Sequence, residues 1–161
     1  MSWDIYDSPV GPLTIIRGDD GLLRGLHFPT MPIALPGSER DPDAVADVAT
    51  QLREYFAGER RQFDVELDLS GGTEFQQSVW NVLRTIPYGK TMSYGDVARA
   101  IGRFDRVRAV GATVGRTPIP IIVPCHRVIG SDGSLTGYGG GLDRKRHLLE
   151  LESPSPQLSL V

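Results

Sequence analysis

The triplet Ser70-Gly-Gly72 separates two stretches whose apolar residues follow different periods. That change of period limits the possible folds more than any other feature of the chain. Before it, apolar residues come in short β-type bursts, Trp3 to Asp7, Leu13 to Arg17 and Leu22 to Phe28. The intervening Ser8-Pro-Val-Gly-Pro12 and Gly18-Asp-Asp-Gly21 are turn sequences, because Gly and Asp tolerate the required dihedrals and Pro fixes φ. The spacing therefore predicts a three-stranded meander, followed by a Pro-rich loop over residues 29–42. Val45, Val48, Ala49, Leu52, Tyr55 and Phe56 then fall on one helical face that stops at Gly58. Phe63, Val65, Leu67 and Leu69 alternate as a half-buried strand does.

After the triplet the signals are helical. Thr73-x-x-Gln76 has the form of a capping box, with Phe75, Val79, Val82, Leu83 and Ile86 as the stripe behind it and Pro87-Tyr-Gly89 as the stop. Ser93 is placed to cap a short helix carrying Val97, Ala98 and Ile101, closed by Gly102. Asp105 is placed to cap another, with Val107, Val110 and Val114 inward. Two short helices around a tight turn outline a helix-turn-helix. Val128-Ile129 and Leu135-Thr136 flank Gly130-Ser-Asp-Gly133 as a hairpin wing would. A last helix is expected over Leu142 to Leu151, with a flexible tail over residues 153–161, where Ser153-Pro-Ser-Pro156 cannot continue it. The class is α+β: a domain over 1–70 with a small antiparallel sheet plus helix, then a helical, winged helix-turn-helix-like domain over 73–152.

Charge bears on the second half. The chain is 161 residues long with a net charge of −3, yet residues 99–116 hold Arg99, Arg103, Arg106, Arg108 and Arg116 against Asp105 alone. The outward face of the second short helix would carry Arg108, Ala109, Ala112, Thr113 and Arg116, without the Asn, Gln, Asp or Glu that read base edges. Small residues with arginines favour sequence-independent contact with double-stranded DNA, in the minor groove, over operator recognition; the same face also fits an ordinary solvated surface helix. The longest apolar run, residues 118 to 124, reads as a strand and is too short to span a bilayer, so no membrane partner is expected. The start lacks a basic segment leading into an apolar one, which with a lone thiol fits a cytoplasmic location.

That thiol is Cys125, in Pro124-Cys-His-Arg-Val128. One cysteine forms no intrachain disulfide and no multi-thiolate metal site, and the three histidines do not cluster with it, so neither metal nor cofactor is expected. If Cys125 does chemistry it is a nucleophile, with His126 and Arg127 beside it as groups that can favour the thiolate. Adjacency alone makes no dyad, since neighbouring side chains on a strand or helix diverge. Cys125 and His126 taken alone also fit a buried structural thiol and a core imidazole.

A longer pattern decides between these readings. Ile121-Ile-Val-Pro-Cys-His-Arg-Val-Ile129 followed by Gly137-Tyr-Gly-Gly-Gly-Leu142 closely resembles the active-site signature of the O6-alkylguanine-DNA alkyltransferases. Phe75-Gln-x-x-Val-Trp80, Ile86-Pro-Tyr-Gly89, Ser93-Tyr94-Gly and Arg108-Ala-Val-Gly111 are similar to that family's DNA-binding half, in order and spacing. The resemblance is specific over residues 73–152 and looser over 1–70. It implies an alkyl-accepting thiolate at Cys125, relayed through a water to His126 and then Glu152. It implies a Tyr94 hydroxyl on the guanine ring, an Arg108 that fills the gap left by a flipped nucleotide, and a pocket of Val128, Tyr138 and Gly139 with Lys145 nearby. It implies a monomer able to assemble cooperatively on DNA. At the position where the family has an asparagine, this chain has Thr117, whose single hydroxyl satisfies fewer partners. The coupling of DNA binding to the thiol is therefore expected to differ here.

Three functions follow for testing. The first is one-turnover transfer of an alkyl group from O6-alkylguanine to Cys125. The second is a non-catalytic lesion sensor, a type that lacks the cysteine present here. The third is a cysteine hydrolase with repeated turnover, whose local signatures are absent.

Overall fold

The computed structural model describes residues 1–30, 35 and 37–153. The tail expectation for residues 154–161 lies outside them. Backbone proximity groups Met1–Gly71 into one compact unit and the chain from Gly72 onward into another.

In the first unit, β1 (Ser2–Ser8), β2 (Gly11–Arg17) and β3 (Leu23–His27) form the meander that the alternation predicts. Both pairings are antiparallel, and the β1–β2 register runs from Ser2 opposite Arg17 to Ser8 opposite Gly11. Gly11 closes that hairpin at φ 101°, a backbone angle that favours glycine. The sheet gains a strand inside the expected Pro-rich loop: β4 (Glu39–Arg40) pairs parallel to β1, giving the order β3-β2-β1-β4. Helix α1 (Ala46–Phe56) buries Val48, Leu52 and Tyr55, and Gly58 follows it at φ 77°.

The expected strand over Phe63–Leu69 does not form. It joins the sheet at a single bridge, Leu23 with Leu67, through Leu23 N–H to Glu66 O and Asp68 N–H to Leu23 O. The Gln51 side chain takes both backbone groups of Asp64, at 2.8 and 3.1 Å, so that stretch is held by an amide in place of a ladder.

The second unit opens with α2 (Glu74–Leu83), whose capping box of Thr73 and Gln76 is formed in both directions. Gly72 has to be glycine: a Cβ there would lie 2.3 Å from the Trp80 ring. β5 (Met92–Ser93) leads into α3 (Tyr94–Ala100), where Ser93 and Asp96 make a second capping box. α4 (Val107–Val114) packs against α2 and α3, which completes the helix-turn-helix outline.

Three local expectations are corrected. Asp105 caps nothing; it sits in a 3-10 turn, Phe104–Arg106, paired with Arg103. The run Ile119–Val123 is a compact turn, with Val123 N–H on Ile119 O and Ile121 at φ 73°, not an extended strand. β6 (Val128–Ile129) pairs parallel with β5 instead of closing a hairpin with Leu135-Thr136; Gly130 and Ser134 close the intervening turn. The final helix α5 (Leu142–Glu152) turns Lys145, Leu148 and Glu152 inward.

Candidate active site

Cys125, His126 and Arg127 form one 3-10 turn, buried on all three side chains. This replaces the extended geometry considered for the pair. The turn fans three successive side chains into the interior between α2 and α5, and each finds a different environment.

His126 is fully buried, and its Nε2 lies 2.7 Å from Glu152 Oε2. Its Nδ1 is also buried and has no hydrogen-bond partner among the described residues. Glu152 is claimed twice more, by Arg127 Nε on Oε1 at 2.7 Å and Arg127 Nη2 on Oε2 at 3.0 Å. Arg127 Nη1 donates to Ile86 O at 2.7 Å, which ties the carboxylate to the end of α2. Burial alone would raise the Glu152 carboxyl, but hydrogen bonds and charge from His126 and Arg127 outweigh it and hold the group down to about 2. Burial keeps His126 below its usual range despite Glu152. A neutral imidazole beside an ionised carboxylate donates from Nε2, which leaves the Nδ1 lone pair to accept a proton.

Cys125 itself is a resting thiol. Burial pushes it up to about 11, and hydrogen bonds with Thr117 and Tyr138 and the charge of Lys145 only partly offset that. The expected help from Arg127 does not reach the sulfur, because the guanidinium is committed to Glu152. A thiol held up in this way reacts only with a base to take its proton.

Thr117, 3% exposed, donates its hydroxyl proton to Val114 O at 2.8 Å while also meeting the sulfur. One hydroxyl proton cannot serve both acceptors at once, so Thr117 links the last residue of α4 to the state of the thiol.

Lys145 is also fully buried. Its ammonium donates to Val128 O at 2.6 Å and Thr136 O at 2.9 Å and lies 5.8 Å from the Tyr94 ring centroid. Burial lowers it to about 8, against an upward pull from Cys125. Tyr94 starts α3, and its hydroxyl donates to the same Thr136 carbonyl at 3.0 Å. Val128 is buried, Tyr138 half-buried and Gly139 exposed.

On α4, Arg108, Ala112 and Arg116 at its end are exposed and Ala109 is half-buried. Thr113 departs from the expected outward face: it is buried, and its hydroxyl donates to Ala109 O at 2.9 Å. Residue spacing did not expose the role of Arg127 in holding Glu152, nor that of the Thr136 carbonyl, since both arise from partners distant in sequence. Among the described residues no cluster of three His, Cys, Asp or Glu side chains is placed to hold a metal ion. None of the described helices is long and apolar enough to cross a membrane.

Comparison with known proteins agrees with this geometry. Residues 74–154 match the family described as 6-O-methylguanine DNA methyltransferase, DNA binding domain, and residues 1–69 match its ribonuclease-like domain. The chain is 55% identical over 148 residues to a methylated-DNA–protein-cysteine methyltransferase of Mycobacterium bovis, covering 91% of this chain and 88% of that protein. It is 48% identical to a protein of the same name from Methanosarcina acetivorans, over 94% and 98% of the two chains. The crystal structure of Mycobacterium tuberculosis OGT in complex with DNA superposes with a TM-score of 0.89, at 49% identity and full coverage of both chains.

Proposed function

The chain belongs to the 6-O-methylguanine DNA methyltransferase family, and from that premise we propose how its own residues remove alkyl groups from guanine O6 in duplex DNA. It is a DNA repair protein that transfers the group to its own cysteine. The observation that carries the mechanism is the buried His126–Glu152 pair, with Nδ1 open, in the same turn as the buried Cys125.

The reaction is a displacement at a saturated carbon. A water passes the Cys125 proton to His126 Nδ1, and Glu152 stabilises the imidazolium that results. Arg127 keeps Glu152 ionised for that purpose. The sulfur then bonds to the alkyl carbon as the C–O6 bond breaks, and the electron pair moves onto the purine. Tyr94 exchanges its hydrogen bond to Thr136 for one to the guanine ring and passes that proton to the ring as the C–O6 bond breaks, so the base leaves neutral, and the tyrosinate regains a proton as the His126 imidazolium gives up the one taken from Cys125. Lys145, Val128, Tyr138 and Gly139 shape the pocket that aligns the carbon with the sulfur. The thioether has no easy route to hydrolysis and no second cysteine takes the group onward, so each molecule reacts once.

The lesion lies inside a stack, so the nucleotide must be turned out before the sulfur can reach it. Arg108 fills the vacated space, while Ala109 and Ala112 allow α4 to approach the minor groove closely and Arg116 supplies charge. Binding on this reading is independent of sequence, the protein acts as a monomer able to assemble cooperatively on DNA, and a thiol that must stay reduced belongs in the cytoplasm. A lesion sensor is not favoured, because Cys125 is present. Intact mass and peptide mapping after exposure to methylated duplex should show one methyl, on Cys125. Cys125→Ala should lose the adduct and keep duplex binding. Absence of the adduct on the unmodified sequence would overturn the mechanism.

A further inference from the structure

Among the described residues Phe104 is the one exposed aromatic ring, with 55% of its surface open. It sits in the turn between α3 and α4, and it borders a groove of about 600 Å³ lined by Ser93, Tyr94, Gly95, Val107 and Ser131. The Arg99 guanidinium covers one face of the ring at 4.6 Å. At Gly95 a Cβ would come within 3.4 Å of Phe104 Cε2, so glycine keeps the floor beside the ring open. Asp96 also lines the groove, but its carboxylate is held by the Ser93 backbone N–H at 3.1 Å and by Arg99 at 3.4 Å. Counting Asp96 and Asp105 against Arg99, Arg103, Arg106, Arg108 and Arg116, the surrounding segment has a surplus of three positive charges.

We propose that this groove is a second grip on the DNA strand, in which Phe104 packs on a deoxyribose and Arg99 meets the adjoining phosphate. The inference rests on the repair function above, in which Tyr94, part of the groove's lining and beside Lys145, also meets the guanine ring. A strand whose flipped nucleotide reaches Tyr94 must pass along the groove on one side. Sugar is the fitting partner for the ring. One face of Phe104 is already taken by a guanidinium, and the neighbouring bases of a duplex remain stacked, whereas deoxyribose offers an apolar edge in the minor groove. Phosphate fits Arg99, whose partner Asp96 is half exposed and holds it only weakly.

The test uses the full chain with unmodified duplex, titrated at several salt concentrations, and the rate of alkyl transfer from free O6-benzylguanine as the reference. Phe104→Ala should weaken duplex binding about fivefold, as expected for losing one apolar contact, with the salt dependence kept. Arg99→Gln should lower the slope of log affinity against log salt by about one. In Phe104→Ala the duplex loss should far exceed any loss with the free base. Duplex binding as tight as the parent's, or equal loss on both substrates, overturns the sugar contact; an unchanged slope in Arg99→Gln overturns the phosphate contact. A parent protein that takes no alkyl group from duplex would instead sink the repair mechanism, so the two failures are distinguishable.

Discussion

The interior before Gly72 and the interior after it are made of different materials. In the first unit Leu13, Ile15, Leu23, Leu26, Val48 and Leu52 are fully buried, and ion pairs such as Arg17 with Asp47 and Arg40 with Asp4 keep one partner well exposed. In the second, the buried set includes Thr113, Thr117, His126, Arg127, Lys145 and Glu152, and among the described residues every buried polar or charged side chain of this kind lies there. An apolar core tolerates loss of one surface pair. A buried cluster does not, because removing one member strands another in a low dielectric. The second unit accepts that vulnerability, and the same low dielectric keeps the Cys125 proton in place until substrate arrives.

The sharpest way to break this comparison is at Glu152. Glu152→Gln takes the charge from between His126 and Arg127 and should destabilise the protein by about 3–5 kcal/mol in denaturant unfolding, with transfer lost along with it. If it unfolds like the parent, the cluster is not the weak point claimed for it.

Acid should find the same cluster. His126 and Glu152 both bind protons less readily folded than unfolded, so each contributes stability that is present at neutral pH and lost on acidification. The His126 share falls away below its ordinary 6.5, and the Glu152 share between 4.5 and about 2. Trp80 is buried in the second unit and Trp3 is half-buried in the first, so single-tryptophan variants report each unit separately. Trp80 fluorescence should change at higher pH than Trp3 fluorescence; coincident transitions would erase the distinction.

A smaller effect is expected at Thr117. Thr117→Val removes a hydroxyl that meets both Val114 O and the sulfur and should slow transfer from the free base about fivefold, about the worth of one hydrogen bond, with Thr117→Ser restoring the rate. A rate equal to the parent's would mean that the hydroxyl serves α4 alone. The least effect belongs to the first unit: Asp47→Asn removes one partner of a partly exposed pair and should cost less than about 1 kcal/mol.

Much of the local architecture could be read from residue order. The capping boxes at Thr73 and Ser93, the stop at Gly58 and the meander of β1 to β3 depend on neighbours within a few positions, and the structure has them. The misplaced elements had signals that long-range contact overrode. Phe63–Leu69 alternates like a strand but meets the sheet only at Leu23, and Val128–Ile129 found β5 in preference to a hairpin partner nearby. Ile121 at φ 73° ran against its own type, since a β-branched residue avoids that region at a cost of roughly 1–2 kcal/mol.

Residue order was enough to single out one cysteine, its solitude, the family motif around it and the basic helix-turn-helix half, because each is a matter of composition or short spacing. Which nitrogen of His126 is open, that Arg127 holds Glu152 instead of activating Cys125, that Thr113 turns inward and that Lys145 is fully buried came from packing. The reason is that proton affinity depends on burial and on partners up to 26 residues away along the chain, and neither quantity exists until the chain has folded.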